Sequence, residues 1–227
     1  MQLFITDEFE LKKDIIITEK RIINQLRKVL RAKSWYVFYL QTKTPKNNFN
    51  IRYKVEVLEI KDKVIWKILS EEKFDLSKIK KKWVVTGILN KFDKMELIVQ
   101  KLTEIWIYEI IFAPFQRSVF KDIKATKLER FYKIALEAAE QSWAEFLPEI
   151  KVYNSLTEIK WKKAVLDFNW EYYKKVNFDD IDYIFIGPEG GITNQDLDNI
   201  KPDLAVNLWE KVLRAETASI LGAFVLM

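Results

Sequence analysis

Two stretches near the C-terminal end hold residue types and spacings from which chemistry can be built. Ile186-Gly187-Pro188-Glu189-Gly190-Gly191-Ile192-Thr193 places three of the chain's five glycines within five positions. Glycines packed this closely let a backbone approach a ligand or take positive φ. A short strand feeds this turn, a helix begins at Thr193, and Asp196 three residues on is its acidic capping partner. Strand, turn and helix start together aim several unpaired N–H groups at one cavity. Leu208-Trp209-Glu210-Lys211-Val212-Leu213-Arg214-Ala215-Glu216-Thr217-Ala218 then adds a guanidinium and a carboxylate beside the start of a second helix. The glycine spacing is not the dinucleotide fingerprint, and no Gly-Lys-Ser/Thr follows to make a P-loop. Taken alone, the glycine turn also reads as a purely structural tight turn.

The rest of the composition narrows the chemistry. The 227 residues include no His and no Cys. The usual general base and the commonest metal ligand are therefore missing, and no metal is expected. The lack of Cys excludes disulfides and thiolate sites and fits a reducing cytoplasm. Catalysis falls to carboxylates, Lys, Arg, Tyr, hydroxyls, backbone dipoles or a bound cofactor. The net charge of +5 favours a polyanionic partner, although a lysine-rich soluble surface accounts for it equally well. No apolar run approaches the roughly 20 residues of a membrane span, so no membrane is expected, and the first residues lack a signal-peptide pattern.

The elements that must position these residues fall into two groups. Residues 1 to 75 read as β-rich, with runs at 15–18, 35–42, 51–60 and 64–69 and a turn at 43–48. Helical spacing joins Ile22, Leu26 and Val29/Leu30 within 19–30, beside Arg21, Arg27, Lys28 and Arg31. A small β-barrel with a basic helix is one reading of this region, and a solvated helix face explains the charges as well. The lysine run 78–82 is the linker candidate. From residue 76 to 227 strands at 84–89, 107–112, 165–168, 183–186 and 205–208 alternate with helices at 94–104, 128–141 and 215–227. That alternation predicts an α/β domain with a mostly parallel sheet, whose ligand sits beyond the carboxyl ends of the strands.

Gly187-Pro188-Glu189-Gly190-Gly191-Ile192-Thr193 with Val212-Leu213-Arg214-Ala215-Glu216-Thr217-Ala218 resembles the signature of the small-subunit ribosomal RNA uridine N3-methyltransferases (RsmE type), a branch of the knotted SPOUT methyltransferases. The likeness continues through Lys91-Phe92-Asp93-Lys94-Met95-Glu96, Arg117-Ser118-Val119, Glu137-Ala138-Ala139-Glu140-Gln141-Ser142 and Lys28-Val29-Leu30-Arg31. It implies a PUA-like RNA-binding β-barrel over 1–75 and a trefoil-knot methyltransferase domain over 76–227. S-adenosylmethionine would be held by Ile186, Gly187, Pro188, Glu189, Gly190 and Gly191 from one loop. Leu208, Trp209, Val212 and Leu213 would complete its site from the other. Arg214 and Glu189 are the catalytic candidates: Arg214 would hold the uracil oxygens or a phosphate, and Glu189 would position the base or accept its proton, or else fix its own loop. Glu216 is better placed to serve the helix dipole. Arg27, Lys28, Arg31, Arg117 and Lys121 would contact RNA, with a solvated surface role the alternative for Lys121. The implied partners are 16S ribosomal RNA or the small ribosomal subunit and a second copy of the chain. Another RNA target, or an RNA-binding protein without cofactor affinity, are the competing readings.

The chain departs from that pattern. A His of the first barrel segment is missing, and Trp35, Trp106, Trp143 and Trp209 stand where the pattern has Gly. Average glycine usage of about 7% would give roughly 16 glycines, against the 5 present beside 8 Trp. A UGA codon, read as Trp in some genetic codes and as Gly in others, would account for the exchange. If Trp209 is genuine, its indole is expected to obstruct the cofactor pocket.

Overall fold

The computed structural model describes residues 2–11, 15–17, 19–45, 49–159, 161–173 and 176–227. Part of the expected turn at 43–48 and the last residue of the run at 15–18 therefore lie outside the described residues. The chain divides into two compact units, Met1–Ile79 with Glu140–Phe146, and Lys80–Ala139 with Leu147–Met227.

The first unit is built from β1 (Leu3–Ile5), β2 (Phe9–Leu11), β3 (Ile15–Ile17), α1 (Lys20–Asn24), β4 (Val37–Gln41), β5 (Phe49–Ile60) and β6 (Val64–Asp75). These strands form one sheet in the order β1-β4-β5-β6-β3-β2. Only the β1–β4 pair is parallel. Alternation along β5 buries Tyr53, Val55 and Val57 against Phe4, Phe38 and Trp66. The register shifts at Lys54/Val55 and Val57/Glu59 bend this long hairpin. α1 buries Ile22 and Ile23, then continues as a π-helical turn over Gln25–Val29. The wider turn breaks the expected 3.6-residue spacing, so Leu26 is buried while Val29 is 71% exposed.

Residues 140–146 join this unit through buried polar groups. The Glu140 carboxylate accepts the Ile5 N–H at 2.9 Å and both of its oxygens accept from Arg21 at 3.0 Å. Gln41 Nε2 donates to the carbonyls of Ala144 and Glu145, and Arg52 Nη2 donates to those of Trp143 and Ala144. The carbonyls of Trp143, Ala144 and Glu145 thus each find a side-chain donor.

The second unit contains β7 (Trp83–Gly87), α2 (Phe92–Glu104), β8 (Glu109–Ala113), α3 (Ala125–Ser142, its last turn counted in the first unit), β9 (Glu149–Val152), β10 (Lys163–Tyr172), β11 (Tyr183–Ile186), α4 (Asn194–Ile200), β12 (Leu204–Asn207) and α5 (Ala215–Leu226). Its sheet is parallel throughout, in the order β12-β10-β11-β7-β8-β9. Continuous burial of β8 and β11 reflects cover on both faces, with separate cores on the two sides. β9 is a short edge strand that hydrophobic pattern alone does not reveal. β10 runs far beyond 165–168 because β12 pairs with it twice, across a shift between Leu166 and Glu171. The chain builds outward from β7 through β8 to β9, then crosses back to β10, and β11 enters between β10 and β7 before β12 adds beyond β10. The strand order therefore reverses at β7/β11, the place where open α/β sheets bind ligands.

Candidate functional site

β11 delivers its chain to the reversal point, and Gly187-Pro188 begin the turn there. The Gly191 N–H donates to the Pro188 carbonyl at 2.9 Å, and Gly191 holds φ 78°, a conformation suited to glycine. At Gly190 the constraint is space, since a Cβ would lie 2.8 Å from Arg117 Cβ. Thr193 caps α4: its hydroxyl accepts the Asp196 N–H at 3.2 Å, and Asp196 accepts the Thr193 N–H at 2.9 Å. The other oxygen of buried Asp196 accepts the Gln116 N–H at 2.9 Å. One carboxylate thereby ties the glycine turn to the loop after β8. Arg117 Nη1 adds a bond to the Gly190 carbonyl at 2.8 Å. Lys121 Nζ donates to the carbonyls of Phe115 and Gln116, so its ammonium braces the same loop.

The second loop leaves β12 at Asn207, whose amide donates to the Phe168 carbonyl at 3.0 Å while its oxygen accepts the Trp209 N–H at 3.0 Å. Arg214 is the N-cap residue of α5 with φ −66° and ψ 150°, and its guanidinium is exposed. Ser219 anchors α5 by donating to the Ala215 carbonyl and meeting Thr86 Oγ1 at 3.3 Å.

Between these loops lies a cavity of about 430 Å³, within the range of small-molecule sites. Ile186, Gly187, Pro188, Glu189 and Gly191 line it from one loop. Leu208, Val212, Leu213 and Arg214 line it from the other. Gly190 and Trp209 are not in the lining, and Trp209 is half exposed. Arg117 and Lys121 lie outside the wall, on the loop after β8, and Arg27, Lys28 and Arg31 are exposed in the first unit.

The wall also includes residues to which the sequence assigns no role in the site, among them Lys94, Asp167, Phe168 and Asn207. Lys94 stands on α2 with its Nζ 2.9 Å from Glu189 Oε1 and 3.8 Å from Glu216 Oε2. Burial pulls the Glu189 carboxyl up, but the Lys94 ammonium, with the N–H groups of Glu189 itself and of Asn90, outweighs it and holds the group below the ordinary 4.5. The bond to Glu189 raises Lys94 above its ordinary value. Glu216 Oε2 is buried and accepts no hydrogen bond among the described residues, which leaves Lys94 as its nearby cation. The bonds from Lys94 and the Asn90 N–H anchor the Glu189 carboxylate beside the glycine turn. The clustering of this motif segment, 91–96, was the available signal for Lys94.

The fold and the cavity define the class, a two-unit protein whose α/β part is of the trefoil-knot methyltransferase type and whose first part is PUA-like. The structure of a ribosomal RNA small subunit methyltransferase E from Neisseria gonorrhoeae, bound to S-adenosyl methionine, matches with TM-score 0.80 at 22% identity, over 99% of this chain and 95% of that one. A putative methyltransferase from Legionella pneumophila matches at 0.80 with 21% identity, over 100% and 97%. The model of the RNA methyltransferase domain matches residues 77–227, and the chain belongs to that family. Among curated relatives, Ribosomal RNA small subunit methyltransferase E of Bacillus subtilis is 33% identical over 163 residues, 62% of this chain and 62% of its own length. The protein of the same name from Buchnera aphidicola is 24% identical over 97% of this chain and 90% of its own. The match thus spans less than two thirds of the first relative and most of the second. No helix of the described residues is long and apolar enough to cross a membrane, and none of their acidic side chains cluster in the threes a metal site needs.

Proposed function

We propose that the protein transfers the methyl group of S-adenosylmethionine to N3 of one uridine in 16S ribosomal RNA of the small subunit, acting as a cytoplasmic homodimer. The observation that carries this reading is the cavity at the strand reversal, walled by two loops with Arg214 at its rim. The cavity fits the cofactor in size and in kind: apolar Leu208, Val212 and Leu213 suit an adenine, and backbone groups of 186–191 suit its polar edge. When bound, S-adenosylmethionine supplies a methyl group on a positively charged sulfur, so neither a metal nor a covalent nucleophile is needed.

The protein's own residues then have limited tasks. Lys94 and the Asn90 N–H hold Glu189, and through it the glycine turn, in one conformation. Arg214 presents several fixed donors to the uracil oxygens, where negative charge gathers as N3 gives its proton to solvent water before or as the methyl group arrives. Glu189, kept ionised, orients the base or the loop rather than taking the proton. Arg27, Lys28 and Arg31 are exposed cations within five positions of each other, suited to phosphates. Exposed apolar residues support a dimer: Val212 is 81% exposed before α5, and Phe224 is 70% exposed on it.

Arg214→Ala tests the assignment. Turnover on small subunits should fall about 10²- to 10³-fold, while calorimetric affinity for S-adenosylmethionine stays within a few fold. Unchanged turnover removes Arg214 from the mechanism. No heat with the wild-type chain at high cofactor concentration favours an RNA-binding protein without catalysis.

A further inference from the structure

Among the described residues, five that are not glycine have positive φ: Arg31 at 49°, Trp35 at 74°, Trp106 at 62°, Trp143 at 58° and Lys201 at 50°. Tryptophan fills 8 of 227 positions, yet takes three of these five. Left-handed backbone places Cβ against the following carbonyl, and bulky side chains are true outliers there.

The local hydrogen bonding makes the demand explicit. After α2, the Ile107 N–H reaches back to the Leu102 carbonyl at 3.0 Å and the Trp106 N–H to the Thr103 carbonyl at 3.0 Å. This pair of bonds is a Schellman motif, and Trp106 occupies its left-handed C′ position, where helices usually place glycine. Trp143 follows α3 with the same sign of φ. Trp35 lies in a tight turn where its N–H donates to the Val57 carbonyl at 2.9 Å, and its indole is 75% exposed, so packing does not offset the strain. The Trp143 ring does meet Tyr39 at 4.9 Å and Arg52 at 5.4 Å. The bonds from Arg52 to that segment end on main-chain carbonyls, however, which any residue supplies. Other tryptophans have ordinary backbone and suitable surroundings: Trp66 fills the first core and Trp83 stacks on Tyr183 at 4.8 Å.

We infer that the protein made in its own cells carries glycine at positions 35, 106 and 143 and tryptophan at 66 and 83. The route is a UGA codon read as glycine at the first three positions. Position 209 lacks positive φ and is outside the inference. This conclusion is independent of the proposed reaction.

The test is mass spectrometry of tryptic peptides of the native protein. Peptides 34–43, 102–117 and 134–151 each contain one of the three positions, and peptides 64–67 and 83–91 are controls. Glycine in the first three with tryptophan in both controls is the expected result. Tryptophan in any of the first three, or UGG at its codon, overturns the inference. Recombinant protein with tryptophan as written gives a second readout. W35G and W106G should each raise the folding equilibrium constant about fivefold or more, and a loss of stability in W35G contradicts the strain argument.

Discussion

Replacing Asp196 with Ala tests how the glycine turn is held. The buried carboxylate accepts three bonds: from the Thr193 N–H at 2.9 Å, the Thr193 hydroxyl at 2.8 Å and the Gln116 N–H at 2.9 Å. Bonds to a charged group contribute about 1.5 kcal/mol or more each, which gives roughly 4.5 kcal/mol for three. Thr193 is partly exposed and Gln116 exposed, so water takes over part of the loss and about 3 kcal/mol is left. For a chain of this size that is a fall in Tm of about 6–12 °C. Denaturant melts of wild type, D196A and D196N measure it. D196N keeps one acceptor and should lose about half as much. Cofactor affinity in D196A should fall as well, because the turn and the loop after β8 lose their tie. A loss under about 1 kcal/mol would refute the reasoning, leaving Asp196 as a helix cap and nothing more.

Further outcomes follow from the same geometry. The Glu189 carboxyl is held below 4.5, so the stability it adds is complete above that pH and is lost as pH falls through the lowered pKa. The difference in Tm between wild type and E189Q should be constant at neutral pH and vanish in acid; a difference that persists in acid contradicts the ion pair with Lys94. Replacing Arg27, Lys28 and Arg31 together with Gln should weaken RNA binding with little effect on cofactor binding. The slope of log K against log salt should shrink by about one for each phosphate that is no longer neutralised, and an unchanged slope moves the RNA surface elsewhere.

Much of the site is legible in the sequence because local chemistry and tertiary role agree. Gly187 to Gly191 read as a turn from glycine density, and Thr193 with Asp196 reads as a capping box. What sequence does not reveal is that Asp196 also accepts the Gln116 N–H, 80 positions away in the chain. Val29 fits a helical stripe, yet the π turn after α1 rotates it into solvent. The short edge strand β9 has too few alternating residues to register. Lys94 falls in the motif segment 91–96, but its ion pairs are not legible in the sequence, since its partners Glu189 and Glu216 arrive from distant loops. Trp209 is expected to obstruct the pocket because it stands in the cofactor loop where the family pattern has Gly; in the structure it is half exposed and is not among the wall residues.

The most direct measurement is methylation of small ribosomal subunits from a strain lacking the gene. These are incubated with the protein and S-adenosylmethionine, and their 16S RNA is then digested and mapped by mass. N3-methyluridine is expected at one nucleotide with the wild-type chain and almost none with R214A. A methyl group on another atom, on another RNA, or on none would contradict it.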